Sequence, residues 1–158
     1  MTETLTWLSI DKFGWGDGPW QHEPDKIQWQ DHATGLVCLA KRNPRAGCWN
    51  GYVGLPPEHP LYETHYRELE DVEVHGGLTY SDHSQEGPDE FTIGHVPDPG
   101  EPSELWWFGF DCHHHLDYAP AIMGGRTDVF YRYTYRTLGY VQDECERLAT
   151  QLKSRSPR

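Results

Sequence analysis

One segment of the sequence changes from aromatic to chelating side chains within a few residues. Positions 105–117 read LWWFGFDCHHHLD. Carboxylate and imidazole groups together form ligand sets for zinc, manganese and iron, and a catalytic metal takes three such ligands and keeps one position open. The segment predicts a site for a divalent metal such as zinc or manganese. Its candidate ligands are Asp111, His113, His114, His115 and Asp117.

The local backbone decides which of these side chains converge. If a strand continues through the segment, its two-residue period places Asp111, His113 and His115 on one face. If a helical turn begins at Asp111, a residue type that favours N-caps, His114 and Asp117 lie near it on one side. An irregular loop allows either set. The competing interpretation is structural, with histidines that are solvated or hydrogen-bonded to the loop they cover.

His75 is the natural remote partner of this segment. It ends a Val-Glu-Val-His strand at a glycine pair, which allows another backbone or a ligand to approach closely. A sheet could bring His75 beside Asp111. If the protein is an enzyme, His75 and Asp111 are the catalytic residues. His75 is then a third metal ligand or a general base, and water is the nucleophile of a hydrolysis. Thr79 follows in the same block and is a candidate ligand-binding residue.

Three further residues are weaker candidates. Tyr52 and His59 lie in a GYVGLPPEHP stretch and could stand at the mouth of a ligand pocket, although a strand followed by a proline-terminated turn explains the same pattern. Cys112 could be a nucleophile with a neighbouring histidine as base, although a cysteine in an apolar strand is more often part of the core.

The elements that must position these residues form an α+β domain. Buried strands are predicted at 35–40 and 48–55, joined in a hairpin by a turn over 41–47, and another is predicted at 105–110. A helix is predicted over 135–153, where apolar residues recur at spacings of three and four. The fold class is therefore an antiparallel sheet with a C-terminal amphipathic helix packed on one face and long loops.

The length of 158 residues is typical of a single domain, predicted to span 1–158. Residues 1–30 carry four tryptophans among glycines and a proline, and they are expected to wrap the core through their indoles. Residues 81–104 are rich in Asp, Glu, Gly and Pro and are expected to form a long acidic loop.

The charge restricts the partners. Thirteen Lys and Arg against 25 Asp and Glu give a net charge of −12, a field that repels phosphate backbones, so direct nucleic-acid binding is not expected. The same acidity suits a partner with a basic groove. A small-molecule ligand or a host protein is therefore the expected partner.

The cysteines and the N-terminus indicate the compartment. The four cysteines form no C-x-x-C pair, the start Met-Thr-Glu-Thr lacks the features of a signal peptide, and no run approaches the length of a membrane span. A cytoplasmic protein with reduced thiols and no membrane association is expected.

Several blocks of the sequence resemble small proteins of bacteriophages, prophages and actinobacteria. The blocks are GYVGLPPEHPLY at 51–62, VHGGLTY at 74–80, WWFGFDCHHHLD at 106–117 and a final helix at 140–152, while residues 1–30 lie outside the resemblance. It implies a phage-type origin more than a particular reaction. In the third block, the resemblance places the shared histidine and aspartate at His114 and Asp117, which favours Asp111, His114 and Asp117 as the metal ligands.

Two functional hypotheses follow. In the first, a small cytoplasmic protein binds a small polar ligand or divalent metal at His75, Thr79, Asp111, His114 and Asp117, and hydrolysis is one outcome of that binding. In the alternative, a phage-encoded counter-defence protein in a bacterial host cell inhibits a host protein through its acidic surface or traps a nucleotide-like signal, and the histidines and aspartates are structural.

Overall fold

The protein is described by a computed structural model that covers residues 3–126 and 128–155. Six strands form one sheet in the order β1-β2-β3-β4-β6-β5, with every neighbouring pair antiparallel. The strands are β1 Leu5–Trp7, β2 Lys26–Gln30, β3 Val37–Arg42, β4 Trp49–Leu55, β5 Tyr80–His83 and β6 Trp106–Asp111. The helices are α1 Pro120–Met123 and α2 Leu138–Lys153, with 3-10 turns at Pro19–His22 and Tyr66–Leu69. The predicted α+β class is confirmed.

Helix α2 packs its apolar stripe against one face of the sheet. Val141, Cys145, Leu148 and Leu152 are buried within the main core. Thr137 caps the helix, because its side chain accepts a hydrogen bond from the backbone N–H of Tyr140. The helix therefore begins three residues later than predicted, where the cap allows it to start.

The opposite face of the sheet is covered by part of the long acidic segment. The ammonium of Lys26 is fully buried and donates to the backbone carbonyls of Asp89, Thr92 and Gly94. Gln28, one pleat along β2, exchanges two hydrogen bonds with the backbone of Val96. These five bonds fix residues 89–96 onto the sheet, so this stretch is an ordered cover.

The structure departs from the sequence prediction in the N-terminal third and around residues 72–83. The strand predicted to end at His75 does not form, because residues 72–79 are irregular. Residues 5–7 and 26–30 are strands of the sheet, although the segment was expected only to wrap the core. Arg42 ends β3 rather than lying in the turn that follows it. Residue 81 lies inside β5, so the irregular acidic segment begins at residue 84. Strands β1, β2 and most of β5 were missed because they are short and mix polar with apolar residues, so their sequences show no clear two-residue pattern.

All four cysteines are free and buried, at positions 38, 48, 112 and 145. Burial raises the pKa of the Cys112 thiol, with the nearby Asp117 carboxylate adding to the effect. A thiol held neutral in this way is a poor nucleophile, so the geometry gives no support to catalysis by Cys112. Within residues 3–126 and 128–155, no helix has the length and apolar character that a membrane crossing requires.

Candidate functional site

Three parts of the chain meet at one end of the sheet. Strand β6 ends at Asp111, and the chain then turns through residues 112–117. The arm formed by residues 72–79 lies beside this turn, since the backbone N–H of Thr79 donates to the carbonyl of Gly109 in β6. The first turns of α2 complete the cluster through Tyr140 and Glu144. We call this group of side chains the His/Asp cluster.

His75 is held on both of its ring nitrogens. Its Nε2 lies 2.8 Å from Oδ2 of Asp117, and its Nδ1 lies 2.8 Å from the hydroxyl of Tyr140. The backbone N–H of His75 donates to Oε1 of Glu144 at 2.8 Å. A neutral imidazole with its proton on Nε2 satisfies both ring contacts, by donating to the carboxylate and accepting from the phenol. His75 thus ties the 72–79 arm to α2 and to the 112–117 turn.

Asp117 is the most buried acid of the cluster, with 4% of its surface exposed. Besides His75, its carboxylate accepts from Nε of Arg136 at 3.1 Å and from the backbone N–H of His114 at 3.1 Å. Burial acts to raise the pKa of Asp117, but these three donors outweigh it and hold the pKa below its usual value. Asp117 is therefore an anion that is already fully engaged within the protein.

Asp111 and His114 form the open part of the cluster. Nε2 of His114 lies 3.2 Å from Oδ1 of Asp111, and about a third of each side chain is exposed. No hydrogen bond joins these two atoms, and Nε2 is a buried nitrogen without a hydrogen-bond partner. Oδ2 of Asp111 accepts from the hydroxyl of Thr79 at 3.3 Å. The Asp111–His114 pair thus has one nitrogen and one oxygen close together and not bonded to each other.

Tyr52 and Asp111 lie on the same face of the sheet, the one opposite α2. The ring of Tyr52 lies over Gly109, where a Cβ atom would be 2.5 Å from it. Its hydroxyl accepts from the amide of Asn50 at 3.3 Å, and Asn50 is the register partner of Asp111. Tyr80 packs edge-on against Tyr52. The predicted ligand residues Tyr52 and Thr79 are therefore on the Asp111 side of the sheet.

Other predicted residues lie outside the cluster. His59 is near the C-terminal end of α2, where its Nε2 is 3.3 Å from the carbonyl of Lys153. His113 and His115 are exposed. Within the described parts of the chain, no group of three or more His, Cys, Asp or Glu side chains is arranged to hold a metal ion. The metal set of Asp111, His114 and Asp117 remains a prediction.

Sequence reasoning missed Tyr140, Glu144 and Arg136, which orient His75 and Asp117. One signal was present, because Tyr140 and Glu144 are four residues apart and so share a face of the predicted helix. That face borders the apolar stripe, where long polar side chains can reach a neighbouring loop. Arg136 precedes the helix and gave no comparable signal.

Gly76 controls the approach of the 72–79 arm to His114. Its φ is +69°, and a Cβ atom there would lie 2.2 Å from Nε2 of His114. Gly77 has a similar φ of +80° but open space around it. We expect Gly76→Ala to lower the free energy of unfolding by about 1 kcal/mol more than Gly77→Ala, because both add backbone strain and only the first displaces His114.

Urea denaturation of the two variants measures this difference. The NMR signals of the His114 ring should shift in Gly76→Ala and stay unchanged in Gly77→Ala. Equal losses of stability with an undisturbed His114 ring would contradict the close approach.

No family model matches the chain, and neither a curated protein sequence nor a solved structure matches it. The class of protein is therefore defined by its own fold and site. It is an α+β protein with a histidine and aspartate cluster at the end of an inner strand of its sheet. The resemblance to phage-type proteins stays a prediction.

Proposed function

We propose that the protein binds a divalent cation, zinc or manganese, between Asp111 and His114, and that the cation and Thr79 together hold a small polar ligand. The observation that carries the proposal is Nε2 of His114, a buried nitrogen without a hydrogen-bond partner, 3.2 Å from a carboxylate oxygen. A buried polar atom that lacks a partner calls for an explanation, and an absent ion is one of the recognised explanations.

The distance fits two atoms that share one metal. Zinc binds His nitrogen and carboxylate oxygen at about 2.0–2.1 Å, so two tetrahedral ligands lie about 3.3 Å apart. The pair in this protein is separated by 3.2 Å. Imidazole suits zinc, and carboxylate with water also suits manganese. With two protein ligands, the remaining coordination positions are left for water or for polar atoms of the ligand.

The surrounding residues support this pair. The backbone N–H of His113 donates to Oδ1 of Asp111 at 3.0 Å, and the hydroxyl of Thr79 donates to Oδ2. Asp117 fixes the turn that carries His114, because it accepts from the His114 backbone. Such outer contacts orient metal ligands and tune their basicity. In this proposal Asp117 orients the site and does not bind the metal.

The geometry favours binding over hydrolysis. A general base needs a free nitrogen within reach of the substrate or water, and both nitrogens of His75 are hydrogen-bonded within the protein. His75 can act as a base only after Tyr140 or Asp117 moves away from it. We therefore assign His75 the role of holding the cluster together, and hydrolysis would need that rearrangement.

The test is calorimetric titration of protein without a histidine tag, using zinc chloride and manganese chloride separately. We expect one equivalent to bind, and Asp111→Asn and His114→Ala each to weaken binding about tenfold or more, because each removes a ligand. Binding should also weaken as the pH falls, because protons compete with the metal for imidazole.

His113→Ala and His115→Ala are the matched controls, since both histidines are neighbours in sequence but exposed. Each should bind the metal within about twofold of the original protein, as expected for residues outside the site. The proposal fails if the unaltered protein binds neither metal, or if the control variants lose as much affinity as His114→Ala.

A further inference from the structure

We infer that the protein has a second binding site, at the opposite end of β6 from Asp111, for an uncharged, ring-sized molecule with a hydroxyl group. The site is a cavity of about 190 Å³ between the start of β3, the end of β4 and the segment around residues 95–102. The residues that form its walls include Leu36, Val37, Pro56, His95, Pro102 and Leu105.

His95 is the polar group that makes this cavity more than an apolar cleft. It is only 9% exposed, and its Nδ1 is buried without a hydrogen-bond partner. Its ring is fixed in place by Trp107, 5.9 Å away between ring centres. A buried polar atom with no partner costs stability unless a ligand or water satisfies it. His95 is therefore a residue of the cavity wall that carries an unused hydrogen-bonding position.

The chemistry of the walls selects an uncharged ligand. Burial lowers the pKa of His95, and the nearby Lys26 lowers it further, so the imidazole is neutral near pH 7. A neutral imidazole nitrogen donates or accepts according to its tautomer, and a hydroxyl group can match either. The charged residues of the lining, Glu101 and Lys153, are both exposed, so the interior offers apolar contacts.

The size of the cavity sets the size of the ligand. A cavity of about 150 Å³ lined by apolar side chains accommodates benzene. The cavity here has about 190 Å³, enough for one six-membered ring with a small substituent. Gly54 helps to keep it open, because a Cβ atom there would lie 2.8 Å from the side chain of Leu105. Phenol has this size and carries one hydroxyl, so it is the probe of choice.

The experiment compares phenol with toluene, which has the same shape without the hydroxyl. In NMR titrations of the complete chain, we expect saturable shifts for both molecules, with phenol binding about tenfold more tightly because of one hydrogen bond. Contacts from the ring protons of phenol should reach Leu36, Val37 and Leu105. This part needs no variant, so it does not depend on how a substitution folds.

His95→Phe keeps a ring in the wall and removes the nitrogen. It should abolish the preference for phenol while toluene still binds. His114→Ala should leave phenol binding unchanged, so failure of this site and failure of the metal site can be told apart. The inference is overturned if phenol gives no saturable shifts, if its contacts lie elsewhere, or if a folded His95→Phe still prefers phenol over toluene.

Discussion

Replacing Arg42 by methionine is expected to lower the free energy of unfolding by about 3–5 kcal/mol. The side chain of Arg42 is fully buried, and its guanidinium pairs with two acids. It donates to Asp25 at 3.2 Å and to Glu23 at 3.1 Å, and it stacks 4.3 Å from the ring centre of Trp49. Methionine fills similar space but leaves Glu23 without its cation and Asp25 with Lys12 alone. Uncompensated buried charge is the costly result.

Urea denaturation followed by tryptophan fluorescence measures the loss. Arg155→Met is the matched control, because Arg155 pairs with the half-exposed Asp71 near the end of the chain, and such pairs contribute about 0–1 kcal/mol. Equal losses of unfolding free energy in Arg42→Met and Arg155→Met would show that the buried network stabilises the fold no more than an exposed ion pair does.

The Arg42 network also reaches the helix that supports the site. Glu23 accepts from Arg42, from the hydroxyl of Tyr135 and, at 2.7 Å, from the backbone N–H of Leu138 at the first turn of α2. An acid at this end of a helix is stabilising, because the first backbone N–H groups have no partner within the helix. The N-terminal segment therefore fixes the start of α2 at Leu138. This residue is two positions before Tyr140, the residue of α2 that contacts the His75 ring.

The sequence was sufficient for elements whose residues follow a regular period. Strands β3, β4 and β6 and helix α2 bury continuous apolar runs or a stripe at helical spacing, and such patterns depend only on neighbours in the chain. Asp111, His114 and Asp117 could be proposed as a group because they lie within seven residues of one another, although the spacing also allowed His113 and His115, and the resemblance made the choice. Local order of this kind can be predicted without knowledge of the tertiary structure.

The polar contacts between distant residues could not be predicted. His75 was expected near the 105–117 segment and beside Asp111, but its bond to Asp117, 42 positions away, follows from no spacing rule. The bond between Glu23 and Leu138, 115 positions apart, follows from none either. The burial of Arg42 was equally hard to predict, because a charged residue within a predicted turn is usually solvated. Its burial depends on two acids and an indole that the fold brings together. Lys26 is a second case, a lysine enclosed by carbonyls from a segment 63 or more residues away.

Asp117→Asn should destabilise the protein by about 2–4 kcal/mol at neutral pH, because Arg136 loses its carboxylate partner and the amide cannot accept all three hydrogen bonds. The pKa of Asp117 is lower in the folded protein than in the unfolded chain. The stabilisation from this group is therefore complete above the unfolded pKa, and it is lost as the pH falls through the folded value. The loss therefore lies below about pH 3.9, the usual pKa of an aspartate.

The measurement is the free energy of unfolding against pH for both proteins. As the acid range is entered, the original protein should lose stability more steeply than Asp117→Asn, so the two curves should converge. Some acid dependence must remain in the variant, because the buried Asp25 also has a lowered pKa: burial raises it, but Lys12 and two backbone donors outweigh that effect. Asp128→Asn, at an exposed pair with Arg126, should change neither the stability nor the pH profile measurably. Parallel curves for the original protein and Asp117→Asn would show that Asp117 does not anchor the His/Asp cluster as an anion.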